Sequence, residues 1–135
     1  MRSLQRVIHY CDFCKKHHHA KRAMENHERG CTLNPDRTCR MCGREASRSP
    51  SIREMVAAID LQLNQGMLVV SDEQFEKFQA QAESCPACVL AVIRQLRRER
   101  KAGAFVIGSA MNSWNYKQAC EQFWREVNKS RGDTP

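Results

Sequence analysis

The sequence predicts a mainly α protein with a small metal-stabilised α+β module at its N-terminus, and three observations carry that fold class. Eight cysteines occur among 135 residues, six of them in three Cys-x-x-Cys pairs. The first fifty residues are poor in apolar side chains, so that part of the chain needs a source of stability other than a hydrophobic core. From residue 50 onward, apolar residues recur at helical spacing in separate runs, enough for a body of about four helices.

The metal-rich part comes first. The stretch "CDFCKKHHHAKRAMENHERGC" holds three cysteines and four histidines, more donors than one ion can use. Cys11 and Cys14, two residues apart, can grip one tetrahedral ion from a tight turn. His27 and Cys31 follow at the i, i+4 spacing that puts two side chains on successive turns of one helix face. Cys-x2-Cys-x12-His-x3-Cys is the spacing of a zinc site in which a cysteine knuckle faces a helix. His17, His18 and His19 are then left over. Three adjacent residues point in different directions, so they cannot all reach one ion. They read as a solvated basic patch with Lys15, Lys16, Lys21 and Arg22, with a separate labile metal site as the competing reading.

Over residues 9–31 this pattern resembles the ββα zinc finger in its Cys-Cys-His-Cys form. Met24 stands where that family has a core leucine three residues before its first histidine ligand. His18 stands where the family usually has phenylalanine, a departure that points to an irregular hairpin. The resemblance implies base-reading positions at Ala20, Ala23 and Asn26. Two alanines cannot hydrogen-bond base edges, so sequence-specific reading by this route is not expected.

A second knuckle, Cys39-Arg-Met-Cys42, is followed by Gly43, where a tight turn calls for positive φ. The "SRSPS" breaker at 47–51 then closes the metal-rich part. Ser49-Pro50 reads as a helix start, and Ile52, Met55, Val56, Ile59 and Leu63 extend the helix from about residue 50 to 63. Asn64-Gln65-Gly66 ends it, and "MLVV" at 67–70 is a short strand or a buried connector. Ser71 and Gln74 form a capping-box pattern for a helix from 72 to about 83, with Phe75, Phe78 and Ala82 on its apolar side.

Pro86 opens a third helix with Val89, Leu90, Val92, Ile93 and Leu96 as core candidates. Its basic extension is "RQLRRERK" at 94–101, and Gly103 is expected to end it. After a Gly/Ser-containing loop, a last helix over about 115–129 carries Tyr116, Cys120, Phe123, Trp124 and Val127 on one face. The tail "RGDTP" is expected to fray.

The natural partner of the second knuckle is Cys85-Pro-Ala-Cys88. Pro86 puts this pair at the first turn of a helix, where the dipole and free N–H groups favour thiolate. Cys39, Cys42, Cys85 and Cys88 thus resemble a treble-clef or zinc-ribbon-like four-cysteine site, which implies a second zinc ion pinning the helical body. The competing reading is a redox pair, since a Cys-x-x-Cys at a helix start also lowers a thiol's pKa in thioredoxin-like enzymes. That fold needs strands on both sides of the pair, whereas a helix precedes it here. Cys120 reads as a small packed hydrophobe. The expected domains are a zinc finger over 1–34 and a helical domain with the second zinc site over 35–135.

Charge is arranged in blocks. Residues 1–48 carry eleven Lys/Arg against five Asp/Glu, residues 49–90 two against six, and residues 91–135 nine against four. Basic ends around an acidic middle suit an acidic partner, DNA or RNA, through phosphate contacts from Lys15, Lys16, Lys21, Arg22, Arg94, Arg97, Arg98, Arg100 and Lys101. The alternative is a zinc-stabilised adaptor or inhibitor that meets a protein partner through Trp114, Tyr116, Phe123 and Trp124, which the acidic middle segment also suits. In size and style the chain resembles the small accessory proteins of phages and mobile elements.

Catalysis is not expected. The zinc deaminase pattern of His-x-Glu with proline directly before Cys-x-x-Cys is missed twice, because His27 is followed directly by Glu28 and Pro86 lies inside its pair. Zinc sites filled by four protein ligands also leave no position for water. No apolar leader and no run near the roughly 18 residues of a membrane span occur. A reducing, cytoplasmic location without membrane contact is therefore expected, the setting in which Cys-x-x-Cys pairs are metal ligands more often than disulfides.

Overall fold

The computed structural model describes residues 3–59, 62–64, 67–98 and 106–130. A two-stranded hairpin opens it, β1 (His9–Tyr10) and β2 (His17–His18), antiparallel with His9 opposite His18. Helix α1 (Lys21–Gly30) packs on this hairpin. The body follows with α2 (Ile52–Ala58), β3 (Gln62–Asn64), β4 (Met67–Val69), α3 (Asp72–Gln81), α4 (Pro86–Arg98), β5 (Val106–Ile107), α5 (Ser109–Ser113) and α6 (Tyr116–Ser130). The class is mainly α with a small α+β module, as expected.

The main core forms where the apolar faces of α2, α3 and α4 meet. Met55, Phe75, Phe78, Val89, Val92 and Leu96 are buried there, together with Cys39, Cys85 and Cys88. α3 begins with the expected capping box, in which Ser71 Oγ accepts from the Gln74 N–H while the Gln74 side chain accepts from the Ser71 N–H. Among the described residues no helix is long and apolar enough to cross a membrane.

Four sequence expectations need correction. The first body helix starts at Ile52 rather than at Pro50, because Ser51 is the N-cap and accepts from the Glu54 N–H at 3.1 Å. It also stops at Ala58, and Leu63 lies in β3 opposite Leu68 of β4. Ile59, Leu61 and Leu63 alternate in the sequence as well as fitting a helical period, and pairing with the apolar 67–69 segment decides in favour of a strand. The loop before the last helix contains α5 and a parallel pairing of β5 with β4, so the body has more elements than four helices. The last helix is only half-packed. Phe123 lies against the core and Cys120 and Val127 are partly buried, but Tyr116 and Trp124 stay 40% and 44% exposed. The expected end of α4 at Gly103 and the fraying tail at 131–135 fall outside the described residues.

Gly108 permits the close approach that joins β5 to α5. A Cβ there would stand 2.7 Å from the carbonyl oxygen of Val70, a distance no side chain tolerates.

The finger and the body are stapled across the expected 34/35 boundary by buried polar side chains. Arg37 is 6% exposed and donates twice to the carbonyl of Gly30, at 3.0 and 3.2 Å, and once to Ala87 of α4 at 3.4 Å. A guanidinium on the last carbonyl of α1 also sits favourably at the negative end of that helix dipole. Gln95, on the buried side of α4, donates to the carbonyls of Thr32 and Asn34 at 2.9 and 3.1 Å. Arg94 adds a bond to Thr32 Oγ1 at 2.6 Å.

Gln95→Leu keeps the volume but leaves two part-buried carbonyls without that donor. It is expected to lower unfolding stability by about 1–3 kcal/mol with helicity unchanged, as measured by urea denaturation followed by circular dichroism.

Candidate metal centres

The eight predicted ligands gather into two groups, Cys11, Cys14, His27 and Cys31, and Cys39, Cys42, Cys85 and Cys88. Within each group one donor atom per residue lies within 4.8 Å of the others. Each cluster can hold one metal ion.

The first cluster is built by the hairpin and α1. The chain turns after Cys14 through Lys15, which takes positive φ (64°), and the turn is closed by Cys11 N–H to Lys16 O at 2.7 Å and Lys15 N–H to Cys11 O at 3.0 Å. His27 comes from the last turn of α1 and Cys31 is the first residue beyond it, so the i, i+4 pair straddles the helix end. Cys14 Sγ lies 3.1 Å from His27 Nε2. Met24, 4% exposed, sits under the cluster as its family-like position implies, packed with Phe13 and Leu33. His18 fills the place of the missing phenylalanine, its ring centroid 5.9 Å from that of His27.

Burial drives the His27 imidazole below the ordinary histidine range, and Lys16 and His18 push the same way. The neutral ring is the form a metal needs. Burial pushes the Cys31 thiol up to about 11. Burial also opposes ionisation of Cys14, yet hydrogen bonds from the Lys16 backbone, Cys31 and Cys11 bring its thiol below the usual value.

The second cluster joins the knuckle at 39–43 to the start of α4. Gly43 takes the expected positive φ (78°), its N–H bonded to Cys39 O at 3.0 Å, while Cys39 N–H bonds to Arg44 O at 2.8 Å. Cys85 O accepts the Val89 N–H at 3.0 Å, and Pro86 takes the first helical position. The approach to Cys85 is a turn with positive φ at both Glu83 (54°) and Ser84 (58°). Neither residue type advertises that conformation, so this part of the site had no sequence signal.

Cys39 Sγ lies 3.7 Å from Cys85 Sγ and Cys42 Sγ lies 3.5 Å from Cys88 Sγ. These separations exceed a disulfide's ~2.05 Å and approach the ~3.8 Å edge of a tetrahedron with metal–sulfur bonds of ~2.3 Å. Hydrogen bonds from Cys42, Cys85 and Cys88 hold Cys39 far below the ordinary thiol range. Cys39 opposes the ionisation of Cys42, but Cys85 and Cys88 carry it down to about 6. Cys85 and Cys88 are driven far above the ordinary range, first by Cys39 and then by Cys42. Four packed sulfurs cannot ionise together unless a cation offsets their repulsion.

Of the predicted phosphate-contacting residues, Lys15, Lys16, Lys21 and Arg22 are exposed on the finger and Arg94, Arg97 and Arg98 on α4, while Arg100 and Lys101 lie outside the described residues. Lys16 and Arg94 line one cavity of about 590 Å³, and Arg37 and Arg40 line it too. Sequence reading passed over Arg37, which stands between motifs, and Arg40, which is a spacer residue between the two cysteines of the second knuckle. Only the charge excess of residues 1–48 hinted at them. Of the predicted aromatic face, Trp114 and Phe123 pack against the core, leaving Tyr116 and Trp124 to solvent.

No protein-family model, curated protein or solved structure matches this chain. What the fold and the clusters define is a mainly α protein with two four-ligand sites, each able to hold a metal ion.

Metal analysis of freshly purified protein is expected to find two ions per chain, matching the two clusters. Cys11→Ser/Cys14→Ser should reduce this to one while leaving most of the helicity in place. Cys85→Ser/Cys88→Ser should also lose one ion and destabilise the body far more, because those cysteines are fully buried in its core.

Proposed function

We propose that this chain is a non-catalytic zinc-binding protein that binds nucleic acid largely through phosphate contacts. The convergence of Lys16 and Arg94 on one cavity, joined there by Arg37 and Arg40, carries the reading. These cations come from the finger, the segment leading into and through the second knuckle, and α4, and no carboxylate among the described residues lines the cavity with them. Two ion pairs lie elsewhere, between Arg48 and Glu83 and between Arg53 and Asp36.

Zinc fits both donor sets, since thiolate-rich four-ligand clusters with tetrahedral spacing are what structural zinc takes. Four protein donors fill such a shell, which supports a structural role for both ions and speaks against catalysis. Exposed Ala20 and half-buried Ala23, at positions the finger resemblance makes base-reading, support binding without sequence preference. A second reading, a zinc-stabilised protein-binding adaptor, is favoured by the exposed rings of Tyr116 and Trp124.

The test is binding of mixed-sequence DNA and RNA across a salt series. Affinity is expected to fall steeply with salt and to vary little with sequence. Lys16→Glu/Arg94→Glu should lower the salt slope by about two units, roughly one for each phosphate that no longer meets a cation. Absence of binding to any DNA or RNA at low salt would remove this reading and leave the adaptor.

A further inference from the structure

We propose that the cationic cavity between the finger and the body is a single-strand site, in which Lys16, Arg40 and Arg94 hold phosphates while Tyr116 stacks an unpaired base. This deepens the nucleic-acid reading and rests on it.

The cavity walls come from separate parts of the fold. Lys16 and His27 belong to the finger, Arg37 and Arg40 to the segment leading into and through the second knuckle, Arg94 to α4 and Tyr116 to the first turn of α6. The cations differ in how much they can offer a ligand. Arg37 is buried with its donors on backbone carbonyls, so it supplies charge without a free fork. Arg40 and Arg94 are exposed, and each is anchored through one nitrogen, Arg40 to the Asn26 carbonyl and Arg94 to Thr32 Oγ1. A guanidinium has five N–H donors, so each is oriented yet keeps donors for an anion. Lys16 is exposed at the rim.

Two negative centres adjoin the cavity: the first cluster, two of whose cysteines, Cys14 and Cys31, line it, and the second cluster, whose spacer residues Met41 and Ala87 also line it. Three thiolates and a neutral histidine around a divalent ion sum to about one negative unit. Four thiolates around a divalent ion at the second cluster add about two more, and the four cations on the wall still exceed the total of about three, so the cavity stays attractive to phosphate.

Tyr116 supplies what a purely electrostatic surface lacks. It is 40% exposed, and its ring stands against Trp114 at 6.1 Å between centroids and 62° between planes. Trp114 in turn packs on the main core, which holds the tyrosine in place as a platform. Aromatic platforms beside backbone-tracking cations are how single strands are bound without sequence reading. The concavity points the same way. A duplex presents its phosphates on a convex cylinder with the bases turned inward, whereas an unpaired strand can enter a recess about 590 Å³ in volume and turn a base onto its wall.

Metal-loaded full-length protein titrated into a labelled mixed-sequence 12-nucleotide single strand, and into its duplex, tests this by fluorescence anisotropy at low salt. The single strand is expected to bind at least about tenfold tighter than the duplex. Tyr116→Ala should weaken single-strand binding by about five- to a hundredfold and leave duplex binding unchanged, while Tyr116→Phe keeps the affinity. Arg40→Gln should weaken both ligands. Should Tyr116→Ala lose its metal, quenching of tyrosine and tryptophan fluorescence by oligo-dT in the unmodified protein supplies the stacking readout. Equal affinity for both ligands, or a single-strand affinity indifferent to Tyr116→Ala, would overturn the single-strand site while the phosphate-binding reading stands. If neither ligand binds, both fall together.

Discussion

The four-cysteine cluster is the constraint on which the rest of the molecule depends. It ties the knuckle at 39–43 to the first turn of α4 across 46 residues of chain. Closing a loop of that length costs about 3 kcal/mol in chain entropy beyond a constant term, and a structural zinc ion contributes roughly 10–16 kcal/mol in small peptides at neutral pH. A metal ion there outweighs the closure cost several-fold. The cluster also sits in the core, with Cys39, Cys85 and Cys88 packed among Met55, Phe78 and Val92. α4 is thereby placed where it meets α2 on one side and the finger on another. Its Gln95 and Arg94 then hold the 32–34 segment.

Buried arginines finish what the cluster starts. Arg44, 2% exposed, donates to Pro50 O at 2.7 Å and Gln81 O at 2.8 Å, so the breaker segment and the end of α3 are both drawn to the knuckle. Its Nε is buried without a hydrogen-bond partner, a cost borne beside a cluster that is anionic when its cysteines ionise. Arg37 does the corresponding work on the finger side, capping α1 and reaching α4. Arg37 occupies the segment between the two sets of metal ligands, and Arg44 lies just past the second knuckle. A loop that reads as polar filler in the sequence therefore acts as the joint between finger and body. The same joint leaves Arg40 and Arg94 anchored at the wall of the cationic cavity.

The metal ligands and several helix ends were legible in the sequence because their signals are local. Ligand geometry follows from spacings of a few residues, Pro86 fits only the first turn of α4, and Ser71 with Gln74 closes its own box. Pairing the two distant Cys-x-x-Cys motifs was also legible, since a half-filled tetrahedron of thiolates calls for a matching half. The end of α2 was not. Ile59 and Leu63 satisfy both a helical and an alternating period, and the choice was made by the partner strand at 67–69. The exposure of Tyr116 and Trp124 was equally invisible, because helical spacing names a face without saying how much of it a neighbour covers.

By itself, then, the sequence determined the two four-ligand sets, the mainly α class and the basic character of both ends, all of which are written in residue type and short-range spacing. Tertiary structure alone decided that Lys16, Arg37, Arg40 and Arg94 share one cavity with Tyr116. Residues up to a hundred positions apart meet there only after the second cluster has oriented α4 and the buried Arg37 and Gln95 have docked the finger upon it. Charge acts over distances set by packing, and no one-dimensional pattern encodes which cations packing will bring together.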